Sequence, residues 1–186
     1  MEMYMSTVPA TDFGKSVFKL LLVIDMQNDF VTGSLGSAEA RAIVPDMADK
    51  LAKADVPVWF TMDTHKADYM NDPEARHLPV PHCVKGTEGW KIIRELEPFA
   101  KNAACIEKPT FGSVELAMRV AAMPDLKEIE MMGVCTDICV VSNALLLKAF
   151  RPSLVIKVDS ALCAGTTPEN HLSALSVMRS CHIDVL

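Results

Sequence analysis

The segment Glu128–Ser142, EIEMMGVCTDICVVS, decides the predicted fold of this chain. Its first half is mostly apolar and ends at a glycine, which is typical of a β-strand inside a parallel sheet. Its second half is a short polar turn that leads to Cys139, where a helix is predicted to begin. A strand that passes into a helix through a tight turn is the repeating unit of α/β proteins, so we expect this pattern to recur along the chain.

A cysteine at the start of a helix is a candidate nucleophile. The unpaired N–H groups and the partial positive charge of a helix N-terminus lower the pKa of a nearby thiol. The same N–H groups can bind an oxyanion. The alternative is an ordinary buried cysteine on a strand–helix turn, and Cys139 by itself does not exclude that interpretation. Ionisable groups at the equivalent turns of other strands favour the catalytic one.

The alternation of apolar strands and amphipathic helices does recur. The predicted strands are Lys19–Met26, Val56–Asp63, Ala103–Lys108, Glu128–Val134, Leu154–Asp159 and Ile183–Leu186. The predicted helices are Ala38–Ala54, Trp90–Phe99, Ser113–Met123, Cys139–Phe150 and Pro168–Cys181. Ser113 is the expected N-cap of its helix, and Thr136 or Asp137 that of the helix carrying Cys139. The pattern predicts a Rossmann-like, three-layer αβα fold with a six-stranded, mostly parallel sheet.

Composition limits the classes of protein that the chain can represent. Its 186 residues contain no dividing linker, so we expect one domain over residues 1–186, with residues 1–17 as a loose lead-in. A net charge of −6 without a stripe of Lys and Arg argues against a nucleic-acid partner. No apolar run approaches the roughly 20 residues that span a membrane. The N-terminus shows no signal peptide, so a cytoplasmic location with six reduced cysteines is expected.

Ionisable side chains end several of the predicted strands. Asp25 ends the first strand, Asp63 and His65 follow the second, Lys108 ends the third, and Cys139 follows the fourth. In parallel sheets ligands bind beyond the carboxyl ends of the strands. The coincidence of these groups on one edge therefore predicts a catalytic site there.

Four of the polar residues form a second constellation of metal-ligand type. Asp63 and His65 alternate along an extended segment, so both side chains can lie on one side. Glu74 and His82 follow in a long loop and complete a mixed nitrogen and oxygen set. Such a set suits one divalent ion, with zinc expected and manganese or iron as alternatives.

Six segments carry a resemblance to a known family. They are Val23–Phe30, Thr61–His65, Pro81–Gly89, Glu107–Ser113, Gly133–Val140 and Pro168–His171. In these segments the chain resembles the isochorismatase-like cysteine hydrolases over nearly its whole length. The motif G-V-x-T-D-x-C-V is specific for that superfamily. The motif D-x-H followed by P-H-C-x-x-G-T is typical of its nicotinamidase branch, so the resemblance implies the isochorismatase-like hydrolase fold and an amidase activity.

The resemblance implies a catalytic triad of Asp25, Lys108 and Cys139. Asp25 takes the proton of the thiol and later delivers it to the leaving nitrogen. Lys108, as an ammonium, favours the ionised forms of the other two. The family motif T-D-x-C selects Cys139 over Cys135 as the nucleophile. It also implies a cis peptide bond between Val134 and Cys135, which directs the N–H groups of Cys135 and Cys139 at one oxyanion.

The resemblance also implies the metal ligands and the substrate pocket. Family members bind the metal with an Asp, a His and a distal His that match Asp63, His65 and His82. The fourth ligand is a Glu in some members, which fits Glu74, and a His in others, for which His77 is the weaker rival. The metal accepts the pyridine nitrogen of nicotinamide.

Phe30 and Phe111 stand where the family places aromatic residues against the substrate. The chain departs from its relatives before His82, where Leu78 or Val80 replaces an aromatic residue and is expected to line the ring. Asp29 is expected to orient Lys108 or the metal ligands, and His171 is expected to be structural.

The implied reaction is hydrolysis of nicotinamide to nicotinate and ammonia through a thioester, feeding NAD salvage. Another amidase or carbamoyl hydrolase of the superfamily is the alternative, and a non-catalytic binding module is a different class that keeps the fold. A redox sensor pairing Cys135 with Cys139 is a further hypothesis. Family members range from monomers to tetramers, so a homo-oligomer stays open.

Overall fold

A six-stranded parallel sheet forms the centre of the molecule. The computed structural model describes residues 18–186, and the expected lead-in over residues 1–17 lies outside the described residues. The strands are β1 (Lys19–Ile24), β2 (Val58–Asp63), β3 (Ala104–Lys108), β4 (Glu128–Val134), β5 (Val155–Ala164) and β6 (Asp184–Val185). Their order is β3-β2-β1-β4-β5-β6, and every neighbouring pair is parallel. The predicted α/β fold is confirmed.

Helices cover both faces of the sheet. They are α1 (Asn28–Val31), α2 (Ala38–Ala42), α3 (Val44–Ala52), α4 (Glu97–Ala100), α5 (Val114–Ala121), α6 (Val141–Phe150) and α7 (Pro168–Ser180). A turn of π-helix, Thr136–Val140, precedes α6, and short 3-10 turns cover Tyr69–Asn71 and Pro73–Arg76. Within residues 18–186, none of the helices combines the length and the apolar character needed to cross a bilayer.

Strand β1 shows why the chain forms three layers. Leu20, Leu22 and Ile24 point into one apolar cluster, which α5, α6 and α7 complete. Leu21 and Val23 point into the other cluster, under α2 and α3. Successive side chains of a strand face opposite sides, so a continuous apolar run requires a cover on both.

Three predicted elements differ from the structure. The helix expected over Ala38–Ala54 is split into α2 and α3, because Pro45 lacks an N–H and stands in the first turn of α3. The helix expected over Trp90–Phe99 shrinks to α4, since Ile92 instead forms an isolated antiparallel bridge with Gln27. Strand β5 continues well beyond the predicted Asp159.

The helix caps agree with the prediction in one place and differ in another. Ser113 caps α5 by accepting the N–H of Leu116, as expected. Neither Thr136 nor Asp137 caps the turn that carries Cys139; Cys135 occupies the N-cap position without a side-chain bond. The carboxylate of Asp137 instead accepts hydrogen bonds from the N–H and hydroxyl of Thr166.

The end of β4 lies unusually close to β1. Gly133 has a φ of 126°, and a Cβ atom there would stand 2.1 Å from the carbonyl oxygen of Ile24. Only glycine fits that conformation and that space. The close approach brings the turn with Cys139 next to Asp25.

Candidate active site

Asp25, Lys108 and Cys139 meet at the carboxyl edge of the sheet. Asp25 follows β1, Lys108 ends β3, and Cys139 lies in the π-helical turn after β4. The Nζ atom of Lys108 is 2.6 Å from Oδ2 of Asp25 and 3.4 Å from Sγ of Cys139. All three side chains are buried. The structure thus brings the sequence-predicted triad together.

Burial controls the proton affinities of this triad. It raises the pKa of Asp25, although the Lys108 ammonium opposes the shift. It also raises the pKa of the Cys139 thiol well above its usual range, and the negative charge of Asp25 adds to the effect. Burial alone would lower the pKa of Lys108. The negative charges of Asp25, Cys139 and Asp63 have the larger effect, so the pKa is raised. The expectation of a thiol with a lowered pKa was wrong, because it considered the helix N-terminus and not the desolvation.

Thr61 fixes the carboxylate of Asp25. Its hydroxyl donates to Oδ1 of Asp25 at 2.6 Å, while the N–H of Asp25 points to the hydroxyl and carbonyl oxygens of Thr61. Oδ1 is thereby occupied, and Oδ2 is left to face Lys108. The carboxylate of Asp25 also forms a hydrogen bond with the thiol of Cys139. Thr61 stands in a quoted motif, but its role was missed.

The peptide bond between Val134 and Cys135 is cis, as the resemblance implied. Burial and the nearby Asp137 raise the pKa of the Cys135 thiol to about 12. Cys135 therefore remains protonated at neutral pH. Its use of the N–H as an oxyanion donor stays a prediction, as does its pairing with Cys139; both cysteines are free thiols here.

Asp63, His65 and His82 form a buried cluster whose ligand atoms lie within 4.8 Å of one another. Oδ2 of Asp63 is 3.1 Å from Nε2 of His65 and 3.5 Å from Nε2 of His82. Nδ1 of His82 donates to the carbonyl oxygen of Val80 at 2.8 Å, so Nε2 is the ring atom that faces the cluster. This donor set fits a divalent metal ion.

The charges within the cluster compensate one another. Burial raises the pKa of Asp63. Hydrogen bonds from His65 and His82 and the charge of Lys108 lower it by more, so the pKa lies below its usual range. Burial lowers the pKa of His82, while its bond to Asp63 reverses the shift and raises it. A cation at the centre supplies the same compensation that a protonated imidazole gives.

Glu74 is better placed than His77 to be a fourth ligand. Its carboxylate oxygens are 3.9 Å from Nε2 of His65 and 3.6 Å from Nε2 of His82. Burial raises the pKa of Glu74. His77 is exposed, and over residues 18–186 no contact joins its ring to the cluster.

The triad and the metal-type cluster share one space. Nζ of Lys108 lies 3.4 Å from Oδ1 of Asp63, so a single ammonium contacts the carboxylates of both groups. A substrate held at the cluster is therefore adjacent to Cys139.

Aromatic rings pack around the two histidines. The ring of Phe30 lies 5.5 Å from that of His82, and Phe30 is nearly buried. The ring of Tyr69 meets His65 at 4.8 Å and His82 at 5.1 Å, edge-on, and its hydroxyl donates to the carbonyl oxygen of Leu78. Tyr69 was missed because it lies in a 3-10 turn of the long loop, for which no regular structure was predicted. Phe111 is 45% exposed.

Two residues of the Val23–Phe30 segment hold the backbone of the metal-type cluster. Gln27 accepts the N–H of Asp63 at 2.7 Å and donates to its carbonyl at 2.9 Å. Asp29 accepts the N–H of Cys83 at 2.8 Å, beside His82. Its carboxylate packs against Gly89, where a Cβ atom would lie 2.0 Å from Oδ2 of Asp29. Of the two alternatives predicted for Asp29, the structure shows the one at the metal ligands, through the bond to Cys83 beside His82.

His171 supports the turn that carries Cys139. Its Nδ1 is 2.8 Å from the hydroxyl oxygen of Thr136, and burial lowers the pKa of His171. One hydrogen bond thus joins the His171 ring to the hydroxyl of Thr136. The contact agrees with the predicted structural role.

Comparison with known families decides the classification. The family model described as Isochorismatase domain matches residues 19–186. The chain belongs to the isochorismatase family. Its relatives include the isochorismatase family protein PncA of Bacillus subtilis, 31% identical over 85% of this chain and 92% of that one. The nicotinamidase/pyrazinamidase of Mycobacterium tuberculosis is 27% identical over 90% of this chain and 98% of that one.

Solved structures of the family share the whole fold. The nicotinamidase/pyrazinamidase of Bacillus subtilis superposes with a TM-score of 0.74 at 30% identity, covering 91% of this chain and 99% of that one. The pyrazinamidase of Pyrococcus horikoshii, solved with zinc, gives 0.76 at 27% identity over 90% and 98%. The N-carbamoylsarcosine amidase of Thermoplasma acidophilum gives 0.74 at 26% identity over 91% and 95%. The chain is thus a hydrolase of amide C–N bonds, a nicotinamidase or a related amidase of this family.

Proposed function

We propose that the protein is a nicotinamidase, which hydrolyses nicotinamide to nicotinate and ammonia. The observation that carries the proposal is the position of the Lys108 ammonium, 2.6 Å from Asp25 and 3.4 Å from Cys139 in a buried site beside the metal-type cluster. The similarity to nicotinamidases of two bacteria supports the choice of substrate.

The first half of the reaction forms a thioester. The carboxylate of Asp25 takes the thiol proton of Cys139, and Sγ attacks the carboxamide carbon. The Lys108 ammonium stabilises the thiolate as it forms, which offsets the raised pKa of the buried thiol. N–H groups of Cys135 and Cys139 bind the oxyanion. Asp25 returns the proton to the amide nitrogen, the C–N bond breaks, and ammonia leaves.

The second half releases the acid. Asp25, ionised again, takes a proton from a water molecule that attacks the thioester carbon. The C–S bond breaks and Asp25 returns its proton to Cys139. Nicotinic acid is released and loses its proton to the solvent, which gives nicotinate. A raised pKa suits Asp25 for both roles, because it must take and give a proton near neutral pH.

The proposed enzyme uses one divalent metal ion, which is zinc or alternatively manganese or iron. Asp63, His65 and His82 would hold it, since their donor atoms converge and fit such an ion. Glu74, whose Oε1 lies 3.6 Å from Nε2 of His82, would be the fourth protein ligand. When bound, the ion would supply a Lewis acid for the ring nitrogen of the substrate. Phe30, Phe111 and Leu78 are the proposed ring contacts. The proposed setting is NAD salvage in the cytoplasm.

A second candidate is hydrolysis of a carbamoyl compound. The similarity to an N-carbamoylsarcosine amidase and the aliphatic residues Leu78 and Val80 before His82 favour it. A carbamoyl substrate offers no aromatic ring to stack, so the missing aromatic residue matters less for it.

Ammonia release from nicotinamide by the metal-loaded protein tests the proposal, with Cys139→Ala beside it and N-carbamoylsarcosine as the competing substrate. Release that disappears in Cys139→Ala is expected. Cys135→Ala is the matched control and should retain substantial activity. No release from nicotinamide by the wild type would contradict the proposal, and equal losses in both cysteine variants would contradict the choice of nucleophile.

A further inference from the structure

Asn143 is a fully buried side chain of α6 to which the reaction above assigns no role. Its Oδ1 accepts the N–H of Ser113 at 2.8 Å. Its Nδ2 donates to the carbonyl oxygens of Phe111 at 2.9 Å and Cys139 at 2.8 Å. Because both amide hydrogens and the oxygen are engaged, the side chain has one orientation.

One side of this arrangement is the loop that follows Lys108. The carbonyl oxygen of Thr110 accepts a hydrogen bond from Nζ of Lys108 at 3.3 Å, and the hydroxyl of Thr110 donates to the carbonyl of Gly112 at 2.8 Å. A Cβ on Gly112 would lie 3.4 Å from Leu146, so the loop rests directly on α6. Asn143 bonds to the residues on either side of Gly112.

The other side is the turn that carries the nucleophile. Cys139 stands four residues before Asn143, and the carbonyl that Asn143 binds belongs to the same residue as the reacting Sγ. The backbone there is π-helical and lacks a side-chain cap. Asn143 therefore connects a turn of irregular backbone to the loop that approaches Lys108.

We propose that Asn143 is a positioning residue that fixes the loop Lys108–Ser113 against Cys139, and thereby keeps the Lys108 ammonium 3.4 Å from the sulfur. This role rests on the proposed function of Lys108 and Cys139. A purely structural asparagine would satisfy the same backbone groups without affecting the chemistry, and the two roles predict different kinetics.

Two substitutions and one matched control separate these roles. Asn143→Leu removes all three hydrogen bonds at similar volume. Asn143→Thr can still donate to the carbonyl four residues back, that of Cys139, but its hydroxyl is too short to hold the loop as well. Ser113→Ala removes the cap of α5 in the same loop and keeps the backbone N–H that Asn143 binds.

Kinetics with nicotinamide, measured below the melting temperature of every variant, gives the first readout. Both Asn143 variants should lose about tenfold in kcat, because small displacements of reacting groups are costly. The metal content should be unchanged, and Ser113→Ala should stay within about twofold of the wild type. Asn143 variants with a kcat like that of Ser113→Ala would overturn the proposal.

The rate of alkylation of Cys139 by iodoacetamide needs no substrate. Peptide mass spectrometry follows it, with the exposed Cys181 as internal reference. A loosened Lys108 stabilises the thiolate less, so Cys139 should react several-fold more slowly in both Asn143 variants and normally in Ser113→Ala. An unchanged or faster rate would overturn the role of Asn143. If the wild type does not hydrolyse nicotinamide, the proposed function fails and this rate still decides the role of Asn143.

Discussion

The two ends of the central strands differ in the balance between their lysines and their carboxylates. At the carboxyl end, three carboxylates, Asp25, Asp63 and Glu74, share a single ammonium, that of Lys108. Towards the amino end, three lysines face three carboxylates: Lys19, Lys50 and Lys157 with Glu128, Glu130 and Asp159. With His65 and His82 counted as neutral, the first group has a formal excess of two negative charges, and the second group is balanced.

The balanced group forms ordinary ion pairs at the margin of the core. Nζ of Lys19 lies 2.8 Å from Glu130, and Nζ of Lys50 lies 2.6 Å from Asp159 and also contacts Glu130. Solvent reaches both lysines. Pairs of this kind contribute little to stability, whereas a buried excess of charge costs free energy unless a ligand compensates it. The comparison indicates which end is built for a divalent cation and for catalysis.

Removal of one lysine from each end should give the largest difference between the two ends, in both stability and activity. Lys108→Met leaves buried carboxylates without their cation, so we expect the free energy of unfolding to fall by about 3 kcal/mol. The same change should lower kcat/KM for nicotinamide by about 10³-fold, since Lys108 contacts both Asp25 and Cys139. Urea unfolding and ammonia release measure the two effects.

Lys50→Met is the control for that substitution. Its side chain is partly exposed, and Glu130 keeps Lys19 as a partner, so a loss of less than about 1 kcal/mol is expected, with unchanged activity. Equal losses of stability in the two methionine variants would show that the ends do not differ in the way described.

The metal-type cluster at the carboxyl end offers a second test, that of its ligand set. His82→Ala removes one buried donor and should lower the bound metal per chain, measured by inductively coupled plasma mass spectrometry after loading with zinc. Loss of one ligand should weaken zinc binding by roughly 10-fold or more. His77→Ala, in the same loop but exposed, should bind zinc normally. A normal metal content in His82→Ala would remove this histidine from the ligand set.

At the amino end, the free energy of unfolding should depend slightly on pH through Glu130. Burial raises the pKa of Glu130, but hydrogen bonds from Lys19 and Lys50 outweigh it and lower the pKa. Because the folded pKa lies below the unfolded value of about 4.3, this stabilisation is present above that value and is lost as the pH falls through the folded pKa.

Glu130→Gln removes this pH dependence. Between neutral pH and about pH 3, the wild type should lose more of its free energy of unfolding than the variant, by less than about 1 kcal/mol. Contributions from Asp25 are common to both proteins and cancel in the difference. Parallel loss of stability in urea titrations of the two proteins would contradict the ion-pair interpretation.

Much of the site was predictable because parallel strands end on one edge. Asp25, Asp63 and Lys108 each terminate a strand, and strand order does not change that fact. Gln27 and Thr61 were not assigned roles, because each contacts a residue 36 positions away in the chain. Tyr69 was not assigned a role because it lies in a long loop for which no regular structure was predicted. No periodicity encodes such a contact.

The sequence by itself determined the α/β fold, the position of Cys139 after β4 and the nitrogen and oxygen donors of the metal-type cluster, since these follow from hydrophobic periodicity and residue type. The tertiary structure alone decided the proton affinities. Desolvation raises the pKa of the Cys139 thiol that a helix N-terminus was expected to lower. The tertiary structure also decided the hydrogen-bond partners of Asp29 and Asn143, because burial and contact distance depend on how distant segments pack.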